Sequence, residues 1–298
     1  MHGGWPTVPA NVGGVSGEAA PDRSASAGRD STRRATYLDR IVAAHRAAAT
    51  NDRRLVRGLH AEAEDQPPAR GFRAALRRDG LQVIAEIKRR SPSKGDLNLG
   101  LDPARMAQLY ETGGAACLSV LTDVQHFGGS VADLRAARAG CALPVLRKDF
   151  TVCEADVLDA RIMGADAVLL IAAALSDGEL ETFHGLGEAI GLDVLVEIHD
   201  EDELARAQRV GATLVGVNQR DLHTFQVDHE RALRVGRAMA ASITRIAESG
   251  VRGPNDAASL AGAGFDAVLV GESLVTSGDP SAAVAALRSA ALMRPSSR

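Results

Sequence analysis

The 298-residue chain is 45% hydrophobic and 24% charged, which suits one large soluble domain or two small ones. Its net charge of −4 excludes a general affinity for nucleic acid or anionic membranes, so any anion site must be local. Three cysteines (Cys117, Cys141 and Cys153) show no CxxC or zinc spacing and fit inert thiols in a reducing, cytoplasmic setting.

No apolar run reaches the roughly 18 residues of a membrane span. Residues 1–35 are rich in Gly, Ala, Ser and Pro and lack the basic start and apolar stretch of a secretory signal. They read as a disordered arm, and 293–298 as a tail, leaving a single domain over 36–292. That domain opens with "TYLDRIVAAHRAAA", which spaces Leu38, Ile41, Val42 and His45 along one helix face.

From residue 83, short β-rich runs alternate with Ala/Leu/Arg stretches of helical period. The strands are expected at 83–88, 117–122, 144–149, 167–172, 193–198, 214–218, 243–248 and 266–271. Four segments, "GGAACLSV", "GADAVLL", "GATLVGV" and "GFDAVLV", each set a helix-ending Gly before a strand. They recur about every 50 residues, the period of two βα units. Near-continuous apolar strands indicate a parallel sheet covered on its outer face, and eight units argue for a closed (βα)8 TIM barrel with an extra N-terminal helix. The alternative is an open doubly wound sheet. It would carry a Gly-rich loop after its first strand, where this chain has "RRSPSKGD" instead.

In a barrel the C-terminal strand ends line the mouth where chemistry sits. Strand one ends with Glu86 and Lys88, two apart and so on one face. Strand three ends with Lys148 and Phe150, strand five with Glu197, strand six with Asn218 and Arg220, and strand seven with Glu248. Taken singly, each has a bland reading: a solvated rim charge, a loop cap, a core Phe, or in Ser91-Pro92 a simple break. Charged or amide groups nevertheless terminate five of the eight strands at the same end, which independent surface decoration would not select.

Ser249-Gly250 and Gly271 follow strands seven and eight, where many barrels hold a phosphate on backbone N–H groups. Lys88, Lys148 and Arg220 are more cations than such a phosphate needs, so a second anionic group is expected on the substrate. Lysines among carboxylates suggest acid–base chemistry without a metal or cofactor. A Schiff base on Lys148 stays open.

The motifs "VIAEIKRRSPSKG", "SVLTDVQHFGGS", "VLRKDF", "LVEIHD", "VGVNQRDL", "RIAESGVRGPND" and "AVLVGESLV" resemble, in order, those of indole-3-glycerol phosphate synthase. The resemblance runs from residue 36 to about 290. It implies a barrel of the ribulose-phosphate-binding type and a lyase of tryptophan biosynthesis. That reaction turns 1-(2-carboxyphenylamino)-1-deoxyribulose 5-phosphate into indole-3-glycerol phosphate, CO2 and water.

By the same resemblance Lys148 is the general acid at the ribulose carbonyl. Lys88 pairs with the substrate carboxylate and is a second proton donor, to the leaving hydroxyl. Glu197 and Glu86 are proton-transfer partners, and Asn218 and Glu248 hold the substrate hydroxyls and the lysines. The implied substrate-binding set is Ser91, Phe150, Arg220, Leu222, Ser249, Gly250 and Gly271, with Phe150 at the anthranilate pocket. Glu272 departs from the small hydroxyl residue of many relatives and is expected to turn away from the phosphate.

A lysine acid works best with its pKa drawn towards neutrality, whereas adjacent glutamates push it up. The expected partner is a phosphorylated small molecule, with no nucleic acid or membrane, and the chain is expected to be a monomer or weak homo-oligomer. Two rivals remain: a phosphoribosylanthranilate isomerase, which would want a cysteine at the end of strand one, and a non-catalytic phosphate-binding barrel.

Overall fold

Thr36 caps the first helix. Its hydroxyl accepts from the Asp39 N–H, and the Asp39 carboxylate accepts in return from the Thr36 N–H. The helix that follows, α1 (Tyr37–Asn51), buries Leu38 and Ile41 and half-buries Val42 and His45, the face expected from spacing. The computed structural model describes residues 36–221 and 226–292. The expected arm 1–35, the tail 293–298 and Leu222 lie outside the described residues.

Two further helices precede the sheet. In α2 (Val56–Glu64), Leu59 and Ala63 pack on Leu158. In α3 (Phe72–Leu76), both Phe72 and Leu76 are fully buried. Only one N-terminal helix was expected. A five-residue helix such as α3, without a side-chain cap, leaves almost no period to read in a sequence.

Eight parallel strands then form a closed ring: β1 (Gln82–Ile87), β2 (Cys117–Leu121), β3 (Val145–Lys148), β4 (Ala167–Ile171), β5 (Asp193–Ile198), β6 (Leu214–Asn218), β7 (Thr244–Glu248) and β8 (Ala267–Val270). Each lies within one residue of its expected position at either end. Each pairs with the next, and β1 closes on β8 with Gln82 opposite Ala267, which excludes the open sheet. The helix-ending glycines Gly114, Gly164, Gly211 and Gly264 have φ of 86°, 95°, 78° and 89°, a left-handed turn that favours a residue without Cβ.

The pleat divides each strand between two environments. On β1, Val83, Ala85 and Ile87 pack against the outer helices. Ile84 packs inward with Leu146, Leu169, Leu195, Ile246 and Leu269. Phe72 and Leu76 join this inner layer from the end where the strands begin: the N–H of Arg73 binds Asp193, the first residue of β5. Helix α3 is thus the apolar floor of the barrel, and the next inward layer towards the strand ends is polar. Past β1, Arg90–Ser91 pairs with Gly95–Asp96 in a small antiparallel hairpin that no sequence signal had suggested.

Candidate active site

The strand ends surround a cavity of about 730 Å³. Glu86, Lys88, Ser91, Lys148, Phe150, Glu197, Asn218, Arg220, Glu248, Ser249, Gly250 and Gly271 all line it, which is every expected site residue that the structure describes.

Lys148 stands at the centre of the polar layer. Its Nζ lies 2.9 Å from Glu197 Oε2 and 3.5 Å from Glu248 Oε2. Asn218 donates to the other Glu197 oxygen at 3.0 Å and accepts from the Arg220 N–H at 3.0 Å, so its amide is oriented from both ends. Lys88, just past the end of β1, donates to Glu86 Oε1. The pair anticipated from its two-residue spacing does point the same way, into the mouth and not into dry core.

Burial works against the charge on Lys148, but Glu197, Glu248 and Glu86 outweigh it and hold the ammonium well above its ordinary pKa. The balance left open by the sequence therefore falls to the glutamates. Burial would raise Glu197 too, yet Lys148, then His199 and the Asn218 hydrogen bond, bring it down to about 2. Burial pushes Glu248 up to about 8, against the pull of Lys148 and with Glu197 and Glu86 adding to the rise. Two glutamates that both end strands are thus driven apart, one kept ionised and one kept protonated at neutral pH.

Two glycines make room for these acids. A Cβ on Gly216 would stand 2.0 Å from Glu248 Oε1, and one on Gly271 would stand 2.2 Å from Glu86 Oε1. Gly216 was not singled out from sequence; a glycine inside an apolar strand was the available signal of a close approach.

At the opposite chemistry, Ser249 and Gly250 both adopt left-handed backbone, with φ of 64° and 75°. The turn they make closes β7 in the cavity wall. Gln219 holds that turn: its side chain donates to the Ser249 carbonyl at 2.8 Å, and its own carbonyl oxygen lies 2.8 Å from His229 Nδ1. It is fully buried and was missed, because its neighbour Asn218 carried the inward side of the pleat. Ser91 Oγ is buried without a protein hydrogen-bond partner. Glu272 belongs to the cavity wall, and its carboxylate lies 3.5 Å from Lys94 Nζ. Its charge is matched there by Lys94.

A closed barrel whose mouth sets buried acids of opposite protonation state around one lysine has the architecture of an acid–base enzyme of small molecules. The family model for indole-3-glycerol phosphate synthase matches residues 38–287. Relatives bearing that name include one from Mycobacterium avium, 49% identical over 255 residues, covering 85% of this chain and 94% of its own. Another, indole-3-glycerol phosphate synthase 1 of Streptomyces coelicolor, is 51% identical over 254 residues with the same coverage. The chain belongs to the indole-3-glycerol phosphate synthase family.

A solved thiamine phosphate pyrophosphorylase from Pyrococcus furiosus, 16% identical, superposes with a TM-score of 0.55 over 71% of this chain and 96% of its own, a likeness of fold alone. Among the described residues no helix is long and apolar enough to cross a membrane.

Proposed function

We propose that this chain closes the indole ring of 1-(2-carboxyphenylamino)-1-deoxyribulose 5-phosphate, releasing CO2 and water to leave indole-3-glycerol phosphate. The ring carbon that bears the carboxylate attacks the ribulose carbonyl, and Lys148 gives its proton to the carbonyl oxygen. The bond to the carboxylate then breaks, and its electron pair restores the ring system as CO2 departs. The new hydroxyl leaves as water with a proton from Lys88, and a carboxylate, Glu197 or Glu86, takes the proton whose loss completes the indole double bond.

The observation that carries this reading is Lys148 held 2.9 Å from an ionised Glu197 at the centre of the mouth. Its glutamate neighbours keep Lys148 in the charged form that a general acid needs, while the raised pKa makes it a weaker acid than one poised near neutrality, so proton transfer relies on its placement at the carbonyl. Supporting this reading, the Ser249-Gly250 turn after β7, Gly271 after β8 and the Ser91 hydroxyl line the same side of the mouth where barrels of this kind seat a phosphate. Phe150 offers an apolar wall for the aryl ring. Both ends of a flexible substrate are then fixed while the chain between them bends, which is chiefly a positioning task.

The phosphoribosylanthranilate isomerase reading lacks its cysteine: Cys117 begins β2 at the floor end of the barrel. The reading includes a cytoplasmic location and a monomer or weak homo-oligomer, the latter checked by sedimentation. Incubating purified protein with the substrate and following indole fluorescence tests the activity. Product formation is expected without added cofactor, and no product at high enzyme concentration would overturn the proposal.

A further inference from the structure

His45, on α1, takes no part in the chemistry above, yet it stands where three elements meet. Its Nε2 donates to Asp123 Oδ2 at 3.0 Å and lies 3.9 Å from Asp149 Oδ1. Both acids are buried. Asp123 follows β2, and its other oxygen caps the short helix Val124–Phe127 by accepting from the His126 and Phe127 N–H groups. Asp149 follows Lys148, and its Oδ1 accepts from the N–H of Phe150 at 2.8 Å. Thr122 and Arg147 donate to its Oδ2. One imidazole edge therefore bridges the residue that presents Phe127 and the residue that presents Phe150. The two phenyl rings, 6.3 Å apart, both line the cavity, and the His45 ring lies 5.3 Å from that of Phe150.

We propose that His45 is a positioning residue for the aryl end of the substrate: as imidazolium it ties α1 to Asp123 and Asp149 and so holds Phe127 and Phe150 at the spacing that receives the carboxyphenyl ring. The inference rests on the function proposed above.

The groups facing His45 favour its charged form. From the other elements they are Asp123, Asp149 and Asp156, with Arg147 as the opposing cation and His126 on the far side of Asp123. On its own helix, Arg46 is engaged by Glu179. The hydrogen bond to Asp123 raises the imidazole pKa, against the lowering by burial, with Asp149, Asp123 and Asp156 adding to the rise. A raised value in the folded protein means that the tie is complete below the ordinary 6.5 and is lost as pH climbs through the raised value. The ligand atoms of His45, Asp123 and Asp149 also lie within 4.8 Å of one another, a spacing that a divalent cation could occupy. Arg147 already neutralises Asp149, and a proton on His45 completes the match without a metal.

The test compares kcat and KM of the wild type, His45→Gln and His45→Ala between pH 6 and 9. The His45→Ala-to-wild-type KM ratio is expected to be roughly tenfold at pH 6, the size set by a hydrogen bond to a charged group, and that of His45→Gln, which keeps an uncharged donor, smaller; both ratios are expected to fall as pH rises to 9. The kcat ratio is expected to stay within about twofold throughout. A ratio that does not depend on pH, or a fall in kcat at unchanged KM, would overturn the proposal. So would a pH profile altered by EDTA or by added Zn2+, which would place a metal where the proton is proposed.

His45→Gln keeps an amide that reaches Asp123, so it decides the matter if His45→Ala fails to fold. An inactive wild type would sink the function reading instead. In that case NMR still decides the inference: the ring signals of Phe150 must titrate with the His45 imidazole, and that titration must move down in Asp123→Asn.

Discussion

At the scale of the residue, the site depends on giving one protonation state to Lys148 and different ones to two glutamates. Lys148→Ala should cut kcat by on the order of 10³, within the range for a positioned general acid, while binding of a non-reactive substrate analogue is largely kept. Single-turnover kinetics and analogue titration measure both, and a variant that keeps most of its kcat would remove Lys148 from the acid role. Glu248 makes a prediction about stability. Its folded pKa, about 8, exceeds its ordinary 4.5, so the folded state holds that proton more tightly. The resulting stabilisation is complete below 4.5 and is lost as pH rises from about 4.5 to 8. Glu197 runs the other way: its contribution is present above 4.5 and lost as pH falls towards 2. Glu248→Gln removes the first effect. Relative to wild type, it should gain on the order of 2 to 4 kcal/mol between pH 5 and pH 8. Denaturant unfolding at both pH values measures the difference, and parallel curves for the two proteins would show that Glu248 is not protonated in the native state.

At the scale of the element, the barrel separates stability from chemistry along its axis. Helix α3 contributes nothing to the cavity, but Phe72 fills the floor against Leu146, Leu195 and their layer. Phe72→Ala should therefore cost about 3 to 5 kcal/mol, the usual price of a buried aromatic cavity, while kcat per folded molecule at 25 °C hardly changes. Chemical denaturation read beside specific activity tests this, and a matching loss of kcat would mean that the floor also shapes the mouth. The elements differed in how far they could be read. Each βα strand is an apolar run bounded by a turn, with a helix-ending Gly before every second one, so strand limits were legible to within a residue. Helix α3 and the hairpin after β1 are too short to carry a period. Gln219 was hidden for another reason: local alternation assigns it to the outer face, and only the neighbouring β7 turn gives that face something to hold.

At the scale of the whole molecule, closure brings distant chain segments to one point. A ligand that binds only this assembled mouth must stabilise the entire barrel. Indole-3-glycerol phosphate at 100 times its Kd should raise unfolding free energy by about 2.7 kcal/mol, seen as a shift of the denaturant midpoint without a change in slope. No shift at saturating product would mean that it does not bind the folded mouth. The sequence by itself determined the eight strands and the polar groups at their ends, because hydrophobic period and pleat are local properties of the chain, whereas the closure of β1 on β8 came from the tertiary structure. It also determined that Glu86 and Lys88 share a face. Only the tertiary structure decided that Lys148 meets Glu197 and Glu248, that Gly216 yields space to Glu248, and that His45 stands between Asp123 and Asp149. The reason is physical. Proximity across a closed barrel, and the loss of water that drives two identical carboxyls to opposite protonation states, exist only once segments remote in sequence have been packed together.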